Sequence, residues 1–508
     1  MPSNTLPDAA SLEHLKNQAK ALHKAGAAGD SEAVSRIRTH HPRHIISPSG
    51  GGGWGEVTLA DCQLVVAREY GFESWPKLKA HVDDLEYQRI VEDFKTAVNA
   101  GQASAVAALL NKSPKLLRNI DAPLFSFNTP AIVHAAGKSD RAMIDVLIDA
   151  GANVNVRTQW EPGGFGALDG ANSETAAYLI SRGAYVDIHA AAKHGMIDRV
   201  RELVESNPGL VNTRGGDGQT PLHFASTIEI CAYLIDHGAD LNIRDIDHNA
   251  TAAQYSIKDA EKVRYLVDRG AEADIFIACR LGDKKLTANI LAKHSDALRW
   301  RLNHPLYHGL GGHIYLYIFG MSARPITIAV DHADPEYLQY LIDQSTPVDR
   351  LLIGCAMADR AIVDAALGES PDLLTTLTAD DRAFISDAAW DNRIDAIRTM
   401  LDAGWEVDAR GFEDSTALNR AAVRGWAPLV QLLIDRGASV EAKNVHGGWP
   451  LTAAIWGSEN WPRATGDHPA CVEALIAAGS KMPQALYGSP EVQEVLKRHG
   501  VGNASQHA

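Results

Sequence analysis

Apolar positions along this chain fall in short helical stripes. The segment DGQTPLHFASTIEICAYLIDHGADLNIRD (217–245) carries the pattern: Leu222 and Ala225 form one stripe, and Ile230, Leu234 and Ile235 form a second. Spacings of three and four residues put each set on one face of a helix. Thr220 and Pro221 open the first helix, where a capping hydroxyl and a residue without a backbone N–H are both favoured. Gly238 closes the second, at a position that calls for left-handed backbone. Neither helix can bury its stripe alone, so the pattern predicts helix pairs that stack on their neighbours.

The unit recurs. Related endings occur at Gly151, Gly183, Gly238, Gly270, Gly404, Gly437 and Gly479, and the steps 151 to 183, 238 to 270 and 404 to 437 are 32, 32 and 33 residues. A period of this size, with TPLHFA (220–225) and YLIDHGADLN (233–242), resembles the ankyrin repeat. The resemblance implies an all-α fold of stacked helix pairs, and a histidine at position 223 that hydrogen-bonds neighbouring backbone. Copies that keep the helices but lose the TPLH start include 188–212, 275–298, 351–374 and 384–408, so the expected array runs from about residue 90 to 482. Ahead of it, Ser11 is the expected helix cap, with Leu12, Leu15, Ala19 and Leu22 on one face. PSGGGGWGE (48–56) reads as a flexible linker, and a helical hairpin turned at Gly71 and Pro76 follows. The expected organisation is a helical cap at 1–88, a first block of repeats at 89–295, an inserted loop or hairpin at 296–325, and a second block at 326–508 closed by a helix over 490–500. The whole resembles a bacterial ankyrin-repeat protein with an N-terminal helical cap.

Departures from the repeat are where function is expected, because stacking already explains the shared pattern. In the insertion 296–325, HIYLYIFG alternates as a strand does and predicts a β-hairpin or an ordered loop, while His304, His308 and His313 crowd together. Pro305 breaks that run and no regular face gathers the three rings, so they read as loop histidines and no metal site is expected. Near the other end, Leu418 precedes Gly437 by 19 residues but Leu451 precedes Gly479 by 28, which predicts an expanded inter-helix turn, WGSENWPRATGD (456–467). Six tryptophans gather in this region: Trp390, Trp405, Trp426, Trp449, Trp456 and Trp461. Trp405 replaces a small turn residue and is expected to pack on a neighbouring repeat. At the finger tips the resemblance implies an acidic residue three positions before the one that opens the helix; Asp217 and Glu413 fit it, whereas His248 and His446 stand there in other copies.

Composition narrows the partners. The chain has 508 residues, 45% of them hydrophobic, 22% charged and 6% aromatic, and no apolar run long enough to span a membrane. Its start lacks a basic segment followed by an apolar one, so a cytoplasmic protein is expected. A net charge of −15 and no dense basic patch argue against nucleic acid. The five cysteines, Cys62, Cys231, Cys279, Cys355 and Cys471, lie in apolar helical contexts without zinc-site spacing and read as buried thiols. No nucleophile elbow, phosphate loop or zinc motif is present, and no cofactor is expected.

Two functions follow. The resemblance implies a binding module or scaffold that takes a protein partner on its concave face and fingers. The alternative is an enzyme or small-ligand receptor, for a glycan or planar ligand, with a pocket between the concave face and the loops 296–325 and 456–467. The ligand contacts would then be Trp390, Trp426, Trp449, Trp456, Trp461, His313 and Tyr315. Acid–base chemistry would fall to Asp247, His248, His446, Glu459 or Asp467, provided that two of them converge.

Overall fold

A computed structural model describes residues 4–7, 11–42, 57–461 and 466–502 of the chain. The glycine-rich stretch expected as a linker lies outside the described residues, as does the middle of the expanded turn, 462–465. The described chain is helical apart from a two-stranded antiparallel ribbon, Pro123–Phe125 with Thr129–Pro130. No described helix is long and apolar enough to cross a membrane. Contacts divide the chain into two compact units, Met1–Val186 and Asp187–Ala508.

The first unit begins with helices Leu12–Ala27, Ser31–His40, Leu59–Glu69 and Trp75–Asn99. Ser11 caps the first by accepting from the His14 N–H, and Leu15, Ala19 and Leu22 are buried. They pack on Ile37, Cys62, Val65, Val66, Leu78 and Val82. Glu69, buried beside this core, takes Arg36 on both carboxylate oxygens at 2.8 and 2.9 Å. That pairing holds the Arg36 guanidinium above its ordinary pKa. Residue 88, the expected end of the cap, falls inside the continuous helix Trp75–Asn99.

In the second unit, first helices stack on first helices: Ile188–Lys193 on Pro221–Phe224 on Ala252–Tyr255, and Phe384–Trp390 on Ala417–Arg424 on Pro450–Asn460. The third position of a first helix ties each copy to the next. Thr220 N donates to His223 Nδ1 at 3.1 Å, which leaves Nε2 to donate to Ala250 O at 3.1 Å. Burial keeps that ring neutral, with its pKa pushed down to about 4. Asn419 does the same work, accepting from Thr416 and donating to Ala442 O at 3.1 Å. The fingers form a ladder of their own. Ile246 N donates to Asp217 O and Val445 N to Glu413 O, both at 2.9 Å. Asp217 and Glu413 take left-handed backbone, φ 53 and 56, at matching positions. All five cysteines are buried and free, and Trp405 is buried with its indole N–H donating to Arg382 O at 3.0 Å.

The insertion does not interrupt the stack, because Ile275–Leu281 packs directly against Pro325–His332 on its far side. It is not a hairpin either. The alternating run expected as a strand forms the helix Ile314–Phe319, capped by the His313 side chain and ended by Gly320 at φ 87. Tertiary packing decides this: Tyr315 is fully buried against Phe276, ring centroids 5.0 Å apart, with Tyr307 against the same ring at 5.1 Å. Arginines anchor both flanks. Arg299 pairs with Asp381 at 3.1 Å, Arg301 with Asp380 at 3.0 Å and Asp387 at 2.9 Å, and fully buried Arg324 with Asp387 at 2.7 Å. The expanded turn also differs from expectation. Its first half, through Asn460, is an extra length of the helix Pro450–Asn460. Gly457 makes this possible, since its bare Cα lies against the Val423 carbonyl, where a side chain would collide.

Candidate functional site

Two adjoining pockets open in the second unit. One, of about 620 Å³, is lined by Trp390, Arg420, Val423, Thr452, Ala453, Trp456, Trp461 and Tyr487, by Glu413 and Ser415 of one finger, and by Asn444 and His446 of the next. The other, of about 440 Å³, lies between the insertion and the finger Gly411–Glu413. Met321 and Glu413 border both, so they form one groove. The walls follow from helical spacing. Arg420 and Val423 lie three residues apart and Thr452 and Trp456 four apart, so each pair shares a helix face.

The tryptophan cluster has an internal use that its composition does not announce. The Arg424 guanidinium is buried and lies 4.6 Å from the ring of Trp390 and 5.6 Å from those of Trp426 and Trp461. Three indoles thus surround a cation of the chain itself. Trp461 meets Trp390 edge-on at 5.6 Å, and Trp426 donates its N–H to Trp390 O at 3.3 Å. Arg420, also buried, rests over Trp390 at 4.8 Å and Phe412 at 5.3 Å and donates to Phe412 O at 2.9 Å. Its burial lowers its pKa, against the pull of Asp387 and Glu413. Trp456, 50% exposed, and Trp461, 38% exposed, are the most exposed tryptophans of this cluster.

The remaining candidate contacts divide. His313 lines the smaller pocket, and burial holds its pKa down to about 3. His313 Nε2 and the Tyr307 hydroxyl, both on that pocket's wall, make no hydrogen bond. Tyr315 is a correction: it is fully buried, and its hydroxyl donates to the Asp274 carboxylate at 3.1 Å, so no ligand reaches it. Trp449 and Trp426 border neither pocket, and the Trp449 indole is held by Lys481 O at 3.1 Å.

Among the acid–base candidates, Asp467 is another correction. It caps the helix His468–Ala477, accepting from Ala470 N at 2.9 Å. Glu459 is exposed on its helix. His446 reaches Glu413 at 3.6 Å on the pocket rim, and His248 reaches Asp217 at 3.7 Å without lining either pocket. These pairs share one logic. Each histidine stands at the finger position where the preceding copy has its acid, and stacked fingers bring equivalent positions together. That signal was present in the register of the repeat. The three insertion histidines serve separately: His304 stacks on Trp300 at 4.0 Å and His308 contacts Asn303 O at 3.0 Å.

Residues 188–277 match the family described as Ankyrin repeats, in three copies. Over 94 residues the chain is 33% identical to the Ankyrin repeat and SAM domain-containing protein 6 of Rattus norvegicus, covering 18% of this chain and 11% of that one. Over 141 residues it is 27% identical to the B-cell lymphoma 3 protein homolog of Mus musculus, covering 25% and 32%. The human ASB11 ankyrin repeat domain aligns with 58% of this chain and 98% of its own at 17% identity, with a TM-score of 0.26. The chain thus spans a tenth to a third of these curated relatives. It contains ankyrin repeats within an all-α fold.

Proposed function

We propose that this chain is a repeat-built binding module that takes an extended segment of a protein partner in the groove between the insertion and the fingers 411–415 and 444–448. The observation that carries this reading is the pair of exposed indoles, Trp456 and Trp461, on the edge of a groove backed by Arg420. Exposed tryptophan and desolvated arginine are the residue types that dominate binding energy at protein interfaces. Glu413, His446 and Arg420 give the groove both charges, which suits the mixed polarity of a peptide. Ankyrin repeats in this chain and in its relatives agree with a protein-binding role.

A second reading, a small planar ligand, draws on the volume: about 620 Å³ falls in the range of ~300–1,000 Å³ typical of small-molecule sites. Among the described residues no pair of carboxylates flanks the groove, so the geometry does not favour glycoside chemistry. Selection of a random peptide library on the intact chain separates the readings. Selected peptides should lose at least ~10-fold in affinity on Trp456→Ala, with circular dichroism unchanged. Peptides that bind parent and Trp456→Ala equally, or a planar compound that alone protects Trp456 fluorescence from quenching, would remove the protein-partner reading.

A further inference from the structure

The geometry points to a divalent transition-metal site, of the zinc or manganese class, formed by Asp217, Asp247 and His248. None of the three residues lines the groove, although His248 bonds to Gly312 on the wall of its smaller pocket, and the site does not depend on the reading above. One ligand atom from each of the three lies within 4.8 Å of the others. His248 Nε2 is 3.7 Å from Asp217 Oδ2 and 3.6 Å from Asp247 Oδ2. Both distances exceed a charge-assisted hydrogen bond, which closes to ~2.7–2.9 Å. They match the ~3.4 Å expected between ligands placed tetrahedrally at ~2.1 Å around a metal.

The imidazole is oriented for this. His248 Nδ1 lies 2.8 Å from Gly312 O, so it carries the proton and turns the Nε2 lone pair towards the carboxylates. Asp247 is only 8% exposed, yet its carboxylate accepts no hydrogen bond among the described residues. A carboxylate this far from bulk water favours a partner, and the nearest nitrogen to its Oδ2 among the described pairings is His248 Nε2, at 3.6 Å. With a neutral ring the cluster carries two negative charges, and a divalent cation cancels them. One nitrogen and two carboxylate oxygens suit zinc or manganese better than calcium, which takes oxygen ligands alone.

The insertion closes over the cluster. Gly311 N donates to Asp247 O at 3.0 Å, and a Cβ at Gly311 would stand 2.6 Å from Asp247 Oδ2. Tyr317 braces this turn, its hydroxyl donating to Gly311 O at 2.7 Å and its ring 5.0 Å from that of His248. A bound cation would therefore tie two successive fingers and, through the histidine, the insertion. Glu413 and His446 form the control: the same finger positions, but with valine at 445 where Asp247 stands, and with His446 solvated.

The test uses the full chain stripped with chelator, then titrated with Zn²⁺ against a chromophoric competitor and with Mn²⁺ followed by electron paramagnetic resonance. The parent should bind one tight equivalent and melt at a higher temperature when loaded. Asp247→Asn and His248→Ala should each weaken that equivalent at least ~10-fold, whereas His446→Ala should leave it unchanged. Asp247→Asn is isosteric, and its unloaded melting curve reports whether the fold is kept. Absence of a tight equivalent in the parent, or equal affinity in the parent and Asp247→Asn, would overturn the site and assign any binding to surface histidines.

Discussion

Asp387 ties both flanks of the insertion to the second half of the stack. Its Oδ2 receives Nε and Nη2 of Arg324 at 2.9 and 2.7 Å, and its Oδ1 receives Arg301 at 2.9 Å. Arg324 is fully buried, and desolvation already lowers its pKa against the pull of Asp387. Asp387→Ala removes three charge-assisted hydrogen bonds and leaves a buried guanidinium with the Asp380 carbonyl at 2.6 Å and no paired carboxylate. Breaking a buried pair from one side costs about 3–5 kcal/mol, against at most ~1 kcal/mol for an exposed pair. Repeat arrays need not unfold as one unit, so a single melting temperature is the wrong readout. Amide hydrogen exchange in the helix Phe384–Trp390 reports the local opening free energy directly. It should fall by about 3–5 kcal/mol in Asp387→Ala, and by much less in the double variant Arg324→Met with Asp387→Leu, where the fully buried charge leaves with its partner and Arg301 keeps Asp380. Trp390 lies three residues on in the same helix, so groove binding should fall with the single variant. A loss below ~1 kcal/mol in Asp387→Ala, or a double variant as damaged as the single, would refute the argument.

Two further outcomes are expected. Gly457→Ala should destabilise the last helix pairs by about 1–3 kcal/mol, because its methyl group would collide with the Val423 carbonyl; hydrogen exchange in Pro450–Asn460 unchanged from the parent would contradict this. His223 has a folded pKa of about 4, below the ~6.5 of an unfolded chain, so the unfolded state binds the proton first. Its contribution is full above pH ~6.5 and is lost as pH falls towards 4, by roughly 3 kcal/mol in all. His223→Asn, which copies Asn419, should flatten that part of the acid melting profile, and an identical pH slope in both proteins would exclude the assignment.

The repeat itself was legible because two local signals coincide in it, a three-to-four residue apolar spacing and a capping threonine ahead of a glycine stop. Thr220, His223 and Gly238 take the places that those signals assign. The short helix Ile314–Phe319 was not legible. Six residues are too few for periodicity to distinguish helix from strand, and burial of Tyr315 against Phe276, distant in sequence, decides the matter. The tryptophans were visible, but not that Arg424 lies among them, since side chains 34 and 37 residues away supply that environment. The pairing of His248 with Asp217 lay between these cases. Nothing in either finger shows it, whereas aligning one finger on the next does.

The contact of Ile275–Leu281 with Pro325–His332 has a consequence for how the insertion is held. Because the array closes beneath it, the insertion contributes nothing to continuity and behaves as a guest tethered at both ends. Its tyrosines 307 and 315 seal Phe276 as a separate polypeptide would, but at an effective concentration set by a short tether instead of by supply. Such occupancy is independent of dilution and needs no second molecule. A graft that keeps Trp300, Tyr307 and Tyr315 while varying the residues between them would then change what this surface presents without reopening the scaffold.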